Sequence, residues 1–256
     1  MKDIHISLQA ETLGHFLGLP ITNSIILSLL AGLVLVGGGM LVASRLKPVP
    51  GKSQNVAEIA IDGTLSFMGQ VLGDQKQALK FFPLVATIFF FILLNNWLGV
   101  LPGIGSIGIF TDVHGHQEFV PLFRAAGADL NTTLALAIVA VLATQIFAIK
   151  KLGFFKQAGK YFDFKHGPIH FFVGILELVG EFAKVLSFSF RLFGNIFAGE
   201  VLLIIMLSLL PLFATFAVLP FFLLEYFVGF IQALVFAMLT LVFLKVATME
   251  AEVMEH

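Results

Sequence analysis

Five charged side chains, Glu177, Glu181, Lys184, Arg191 and Glu200, sit within a largely apolar run from Ile169 to Leu210, with Asn195 beside them. A second apolar run, Leu212 to about Met249, carries Glu225 and Gln232. An ionisable group near the centre of a membrane helix costs about 2.5–3.5 kcal/mol on insertion scales, so such groups persist where they serve an ion path or a pairing. Carboxylates can take up and release protons once burial brings the neutral form within reach. A guanidinium cannot, because it stays protonated. Acids on either side of one permanent cation suit ion translocation through two offset half-paths, with Arg191 as the positive gate between them.

Helical spacing sorts these residues. At about 100° per residue, Glu177, Lys184, Arg191 and Asn195 fall within about 40° of one stripe. The small residues Ser187, Gly194, Ala198 and Gly199 lie on or beside that stripe and would let another surface approach closely. Glu200 points to roughly the opposite face. In the second run Glu225, Gly229, Gln232 and Phe236 share a face by i+3/i+4 spacing. Along the axis the order is Glu177, Glu181 and Lys184 toward one end, Arg191 buried near mid-membrane, and Glu200 and Glu225 toward the other end. Gln232 lies deeper, near the level of Arg191.

The elements that hold these groups follow from composition. Of 256 residues 58% are apolar and 12% charged, with 30 phenylalanines, no cysteine and a net charge of -1. The mean hydropathy is +0.99. A soluble domain of this composition would expose large apolar patches. The chain therefore reads as an all-α integral membrane protein that crosses the bilayer several times. The missing cysteines exclude disulfides and thiolate chemistry, and the charge balance gives no reason to expect nucleic acid. No cofactor or metal ligand set stands out; His114 and His116 form a lone HxH in a glycine-rich loop.

Crossing the hydrocarbon takes roughly 20 helical residues. Residues 21–44 form the first span, with Thr22, Asn23 and Ser24 as caps. Residues 55–80 are too polar to span and are expected to lie at the interface as an amphipathic helix. Residues 81–101 and 131–150 are the second and third spans. The runs 169–210 and 212–249 have no turn signal at their middles, Pro220 being the one break in the second. A continuous helix of 42 residues would be about 63 Å long, about twice the hydrocarbon thickness. They are expected to be two long, steeply tilted helices joined at Pro211, packed against an external partner. Phe89-Phe90-Phe91 is expected to face lipid.

Basic residues orient the chain. Arg45, Lys47 and Lys52 follow the first span, and Lys150, Lys151, Lys156, Lys160 and Lys165 follow the third, with Asp163 as the one acid among them. Both loops are expected to be cytoplasmic, with the N-terminus outside and the C-terminus inside. Neither a cleaved signal peptide nor a transit peptide is read at the start, which favours a bacterial plasma membrane. Two plainer readings compete locally: Glu181 and Lys184 as an i,i+3 ion pair near the interface, and Lys245 and Glu250 as end residues reaching the interface. The rival for the whole chain is a secondary cation/proton transporter working alone. Such transporters carry internal repeats and broken helices around a midplane site, and neither is evident here.

The segment Ser189-Phe190-Arg191-Leu192-Phe193-Gly194-Asn195-Ile196-Phe197-Ala198-Gly199-Glu200 resembles the signature of subunit a of the rotary F-type ATP synthase. The resemblance extends to Asn95–Pro102, to Ala128–Ala135 and to Gln232–Phe236. It covers most of the chain from about Phe81 onward. It implies a stator subunit that performs no bond chemistry, with a ring of c subunits, a peripheral stalk of b subunits and the lipid bilayer as partners. Arg191 then matches the family's arginine facing the ring carboxylate. Asn195, Glu200 and Gln232 match positions of the outer half-channel, and Glu177 an acidic position on the cytoplasmic side, with Glu181 and Lys184 candidates beside it. Some family members carry histidine at the position of Glu225 or of Glu200. Both are glutamate here, so two neighbouring carboxylates replace any histidine relay and are expected to share a proton. Cross-linking from cysteines at Leu192 or Ile196, beside Arg191, is expected to report a ring partner.

Overall fold

Why the chain turns where it does is clearest at its glycines and short polar caps. The computed structural model describes residues 10–16, 18–113, 116–161, 168–209 and 214–253. A hairpin of β1 (Thr12–Phe16) and β2 (Leu19–Thr22) leads into α1 (Asn23–Ala43). The Thr22 hydroxyl caps α1 by accepting from the Ile25 N–H at 3.4 Å. After α2 (Lys52–Leu72), Gly73 takes φ 71°, a left-handed turn that glycine adopts without a Cβ clash. Asp74 then caps α3 (Gln75–Gly99), accepting from the Lys76 N–H at 2.8 Å.

The helix expected over 55–80 is thus cut at Gly73-Asp74. Its last residues, 75–80, form the first turns of the next spanning helix, which starts earlier than residue 81. A pass based on hydropathy averages across this Gly-Asp step, although the step is a stop-and-start signal for helices.

A 3-10 turn (Ile104–Ser106), a second hairpin of β3 (Gly108–Val113) and β4 (His116–Pro121) and another 3-10 turn (Ala126–Ala128) occupy the expected glycine-rich loop. His114 lies outside the described residues, and His116 opens β4. Asp129 caps α4 (Leu130–Leu152), accepting from the Asn131 N–H at 3.1 Å. Gly153 ends it, and the basic loop contains a further short helix, α5 (Phe154–Tyr161). Asp163 and Lys165 lie outside the described residues. The two long helices are α6 (Pro168–Leu209) and α7 (Ala214–Val253), of 42 and 40 residues, with Pro220 inside α7. The joint at Pro211 lies outside the described residues.

Among the described residues, five helices are long and apolar enough to cross a membrane: α1, α3, α4, Ile169–Leu207 within α6 and Val218–Met249 within α7. The chain is an all-α membrane protein, the strands among its described residues confined to two small hairpins. At 1.5 Å per residue α6 is about 63 Å long, so it cannot cross a hydrocarbon layer of about 30 Å upright and remain within it.

The helices gather around α3 and α7. One apolar cluster joins Ile88, Ile92 and Leu93 of α3, Ala137 and Ala140 of α4, Phe188, Leu192 and Ile196 of α6, and Ala233 and Phe236 of α7. A second joins Met68 and Leu72 of α2, Phe81 and Val85 of α3, and Leu241 and Leu244 of α7. Phe89 and Phe90 are partly buried against the core, Phe89 stacking edge-on against Phe230 at 6.1 Å. These rings are packing elements as well as lipid contacts, which corrects the purely lipid-facing expectation.

The two ends of the bundle differ. At one, the amide of Asn23 donates to the Pro121 carbonyl at 3.3 Å, and the buried Ser24 hydroxyl donates to the Asp129 carboxylate at 2.8 Å. The hairpins and 3-10 turns meet there. At the other, Lys151 donates to the Thr248 carbonyl at 3.1 Å and Lys245 to the Val71 carbonyl at 3.4 Å. Lysines therefore tie together the end opposite the hairpins.

Candidate functional site

The helices α6 and α7 run antiparallel in a steady register. Phe188 meets Phe236 with ring centroids 4.9 Å apart, and Gly199 meets Glu225. The step from Phe188 to Gly199 equals the step from Phe236 back to Glu225, so the pairing holds between these two points. Extending it sets Gln232 level with Leu192, one residue past Arg191. Arg191 itself falls near the midpoint of α6.

Arg191 is exposed on the outer face of α6, and so are Ser187, Gly194, Asn195 and Ala198. Its guanidinium donates to the Ser187 hydroxyl one turn earlier, at 3.4 Å. Expected buried, Arg191 is exposed within this chain: among the described residues, no other helix covers its face. Leu192 and Ile196, by contrast, are 2% and 1% exposed and point into the core. Adjacent residues on a helix differ by about 100°, so a neighbour in sequence is not a neighbour on the surface. The cysteine positions suggested by sequence at Leu192 and Ile196 face the wrong way.

The small-residue stripe also divides. Ser187, Gly194 and Ala198 stay on the open face. Gly199 is buried, and a Cβ there would collide with the Glu225 carboxylate. Gly199 is therefore the notch that admits Glu225 between the helices. Glu225 is 5% exposed, and its Oε1 has no hydrogen-bond partner among the described residues. Gly229 and Phe236 are also buried on this face of α7, while Gln232 is half-buried.

Glu200 lies one residue beyond the notch. It is paired with Arg124, from the connection between β4 and α4. The Arg124 Nε stands 3.3 Å from each Glu200 carboxylate oxygen. Arg124 is 7% exposed, and its guanidinium carbon is 6.0 Å from the Phe197 ring centroid. Its mount is close-packed. A Cβ on Gly99 would overlap Ala125, and one on Gly127 would press on the Asn96 amide oxygen and on Ile196. Glycine at these two points lets the 124–128 segment wedge between α3 and α6.

Glu200, Glu225 and Arg124 line one cavity of about 430 Å³, together with residues 99–106 and Pro121. The Asn95–Pro102 motif borders it. Asn96 donates to the Gly229 carbonyl at 3.1 Å and Trp97 to the Tyr226 carbonyl at 3.1 Å, which pins the end of α3 to α7 beside Glu225. Asn95 and Asn96 each keep a buried amide oxygen without a hydrogen-bond partner among the described residues.

Toward the lysine end, Glu181 and Lys184 form an ion pair at 2.6 Å, and the Lys184 ammonium lies 4.8 Å from the Phe243 ring centroid. Glu177 is half-buried one turn earlier. These three groups thus sit on the other side of Arg191 from the Glu200–Glu225 cavity.

Residues 25–245 match the model of the family described as ATP synthase A chain. The chain is 34% identical to the ATP synthase subunit a of Syntrophobacter fumaroxidans over 92% of its own length and 87% of that protein's. It is likewise 34% identical to the ATP synthase subunit a of Campylobacter concisus, over 87% of this chain and 88% of that one. The relation spans both long helices, Arg191 on the first of them and the cavity with its two acids, and on that basis the chain belongs to the ATP synthase A chain family.

Proposed function

We propose that this chain is the non-rotating membrane subunit of a rotary ATP synthase, carrying protons to and from the carboxylates of a c-subunit ring. Protons enter by a half-path on the hairpin side, through the cavity of Glu200 and Glu225 toward Gln232 and Asn195. They leave by a second half-path past Glu177 on the lysine side. Arg191 stands between the two and, being permanently charged, passes no proton itself. A peripheral stalk of b subunits holds the chain still, and no bond chemistry occurs in it. The hairpin end faces the outside of a plasma membrane and the lysine-rich end the cytoplasm, following the basic-residue rule.

The observation that carries this reading is Arg191 itself: a cation at mid-helix, on an uncovered face rich in small residues. A guanidinium facing lipid alone would be strongly unfavourable, whereas a partner surface bearing a carboxylate would neutralise it. The test is Arg191→Ala in the complete ATP synthase, reconstituted in vesicles under an imposed proton gradient. ATP synthesis is expected to vanish while ring and stalk subunits still co-purify. Coupled synthesis retained by the variant would overturn the reading.

A further inference from the structure

A groove of about 580 Å³ runs between α4 and α6, apart from the cavity of Glu200 and Glu225. Its walls are apolar: Ile138 and Leu142 of α4 and Phe182 and Leu186 of α6 line it, and all four are exposed. Phe182 stands nine residues before Arg191, so it points to roughly the opposite side of α6. A surface seated on Arg191 would leave this groove uncovered.

The length of the groove and its ends restrict what can fill it. It follows α4 from Leu134 to Gln145, about 16 Å at 1.5 Å per residue. That is about half of a 30 Å hydrocarbon layer, the depth of a single leaflet. One end is lined by Gln145, Tyr161 and Glu181. There α5 packs on both α4 and α6. It is latched to α4 through the Gln145 amide oxygen, which accepts from the Gln157 amide at 3.0 Å and from the Tyr161 hydroxyl at 3.1 Å. A transmembrane helix laid in the groove would need the full thickness of the layer and would run into α5. An acyl chain of one leaflet ends where α5 begins, with its headgroup beside that helix.

Charge selects the headgroup. Residues 150–161 carry Lys150, Lys151, Lys156 and Lys160 and no acid. Lys156 is exposed and directly precedes Gln157 of the latch. Glu181, the one acid lining the groove, is already paired with Lys184 at 2.6 Å. This end is therefore net positive and complements an anionic phosphate.

We propose that the groove between α4 and α6 holds an acyl chain of one anionic phospholipid from the leaflet on the lysine side, its phosphate meeting the lysines of α5. The proposal stands apart from the proton path and does not depend on it.

The test uses the complete complex in phosphatidylcholine vesicles doped with a phospholipid whose acyl chain carries a photoreactive diazirine. Two probes are compared, a phosphatidylglycerol and a phosphatidylcholine, and the labelled residues of this chain are mapped by mass spectrometry. The phosphatidylglycerol probe is expected to label 134–142 and 178–186, and the phosphatidylcholine probe to label them far less. K156Q/K160Q is expected to lower the phosphatidylglycerol label about fivefold for each lysine removed. R45Q/K52Q, which takes two exposed charges from the connection between α1 and α2, is expected to leave it unchanged. Ile138→Trp or Leu186→Trp fills the groove and is expected to abolish the label with the lysines intact.

Equal labelling by the two probes overturns the proposal, as does an equal loss in R45Q/K52Q. Undiminished labelling in both groove-filling variants, in complexes that keep ring and stalk, also overturns it. A groove that neither probe labels in the unmodified complex would belong to a polypeptide partner instead.

Discussion

At the scale of single residues, the ionisable groups of α6 separate by what surrounds each. Lys184 has its ammonium 2.6 Å from Glu181 and close to the Phe243 ring, so its charge is already engaged within the chain. A partly exposed ion pair of this kind contributes about 0–1 kcal/mol. Lys184→Met is therefore expected to change ATP-driven pumping by less than about twofold, in contrast to the total loss expected for Arg191→Ala. Parallel vesicle assays of the two variants check this. Pumping lost on replacing Lys184 would make it a working member of the cytoplasmic-side path. The plainer i,i+3 pairing read from spacing is the geometry found, and it was legible because both partners lie on one helix.

At the scale of elements, the contact between α6 and α7 depends on what Gly199 lacks. A methyl group there would fall on the Glu225 carboxylate, so Gly199→Ala must either spread the helices or turn Glu225 out of the cavity. Overpacking of a tight contact costs about 1–3 kcal/mol. That is small enough for assembly to survive yet large enough to displace one side chain. Gly199→Ala is expected to lower pumping about tenfold or more with ring and stalk still co-purifying. Shortening the acid in the double variant G199A/E225D is expected to recover part of it. Unchanged pumping in Gly199→Ala would show that Glu225 does not need this notch.

For the whole molecule, the proposed function makes the open face of α6 the surface that a ring would cover. Because the natural chain has no cysteine, single cysteines report without background. Cysteines at Ser187, Gly194 and Ala198 are expected to cross-link to a cysteine near the ring carboxylate, while those at Leu192 and Ile196 are not, since they point into the core. Oxidative cross-linking in assembled membranes, followed by electrophoresis, distinguishes the two sets. Cross-links from Leu192 and Ile196 but not from Ser187 would require α6 to rotate on assembly and would move Arg191 away from the ring.

What could be read without coordinates was local. Apolar runs of sufficient length named the crossing helices, because spanning a bilayer demands about 20 apolar residues whatever lies beside them. The order of charges along α6, and the motif around Arg191, were visible for the same reason: both lie within one continuous helix. Helix ends were legible only where a residue signals them alone. Thr22 does so as a cap, whereas the Gly73-Asp74 break was lost in a hydropathy average. The partner of Glu200 was not legible at all. Arg124 lies 76 residues away in sequence, in a connection whose charges read as ordinary loop, and no periodicity reaches across such a distance. Which side of α6 is open, and that Gly199 belongs to the covered side, were likewise decided by packing. A helix pattern shows which residues share a face; only the neighbouring helices determine which face they cover.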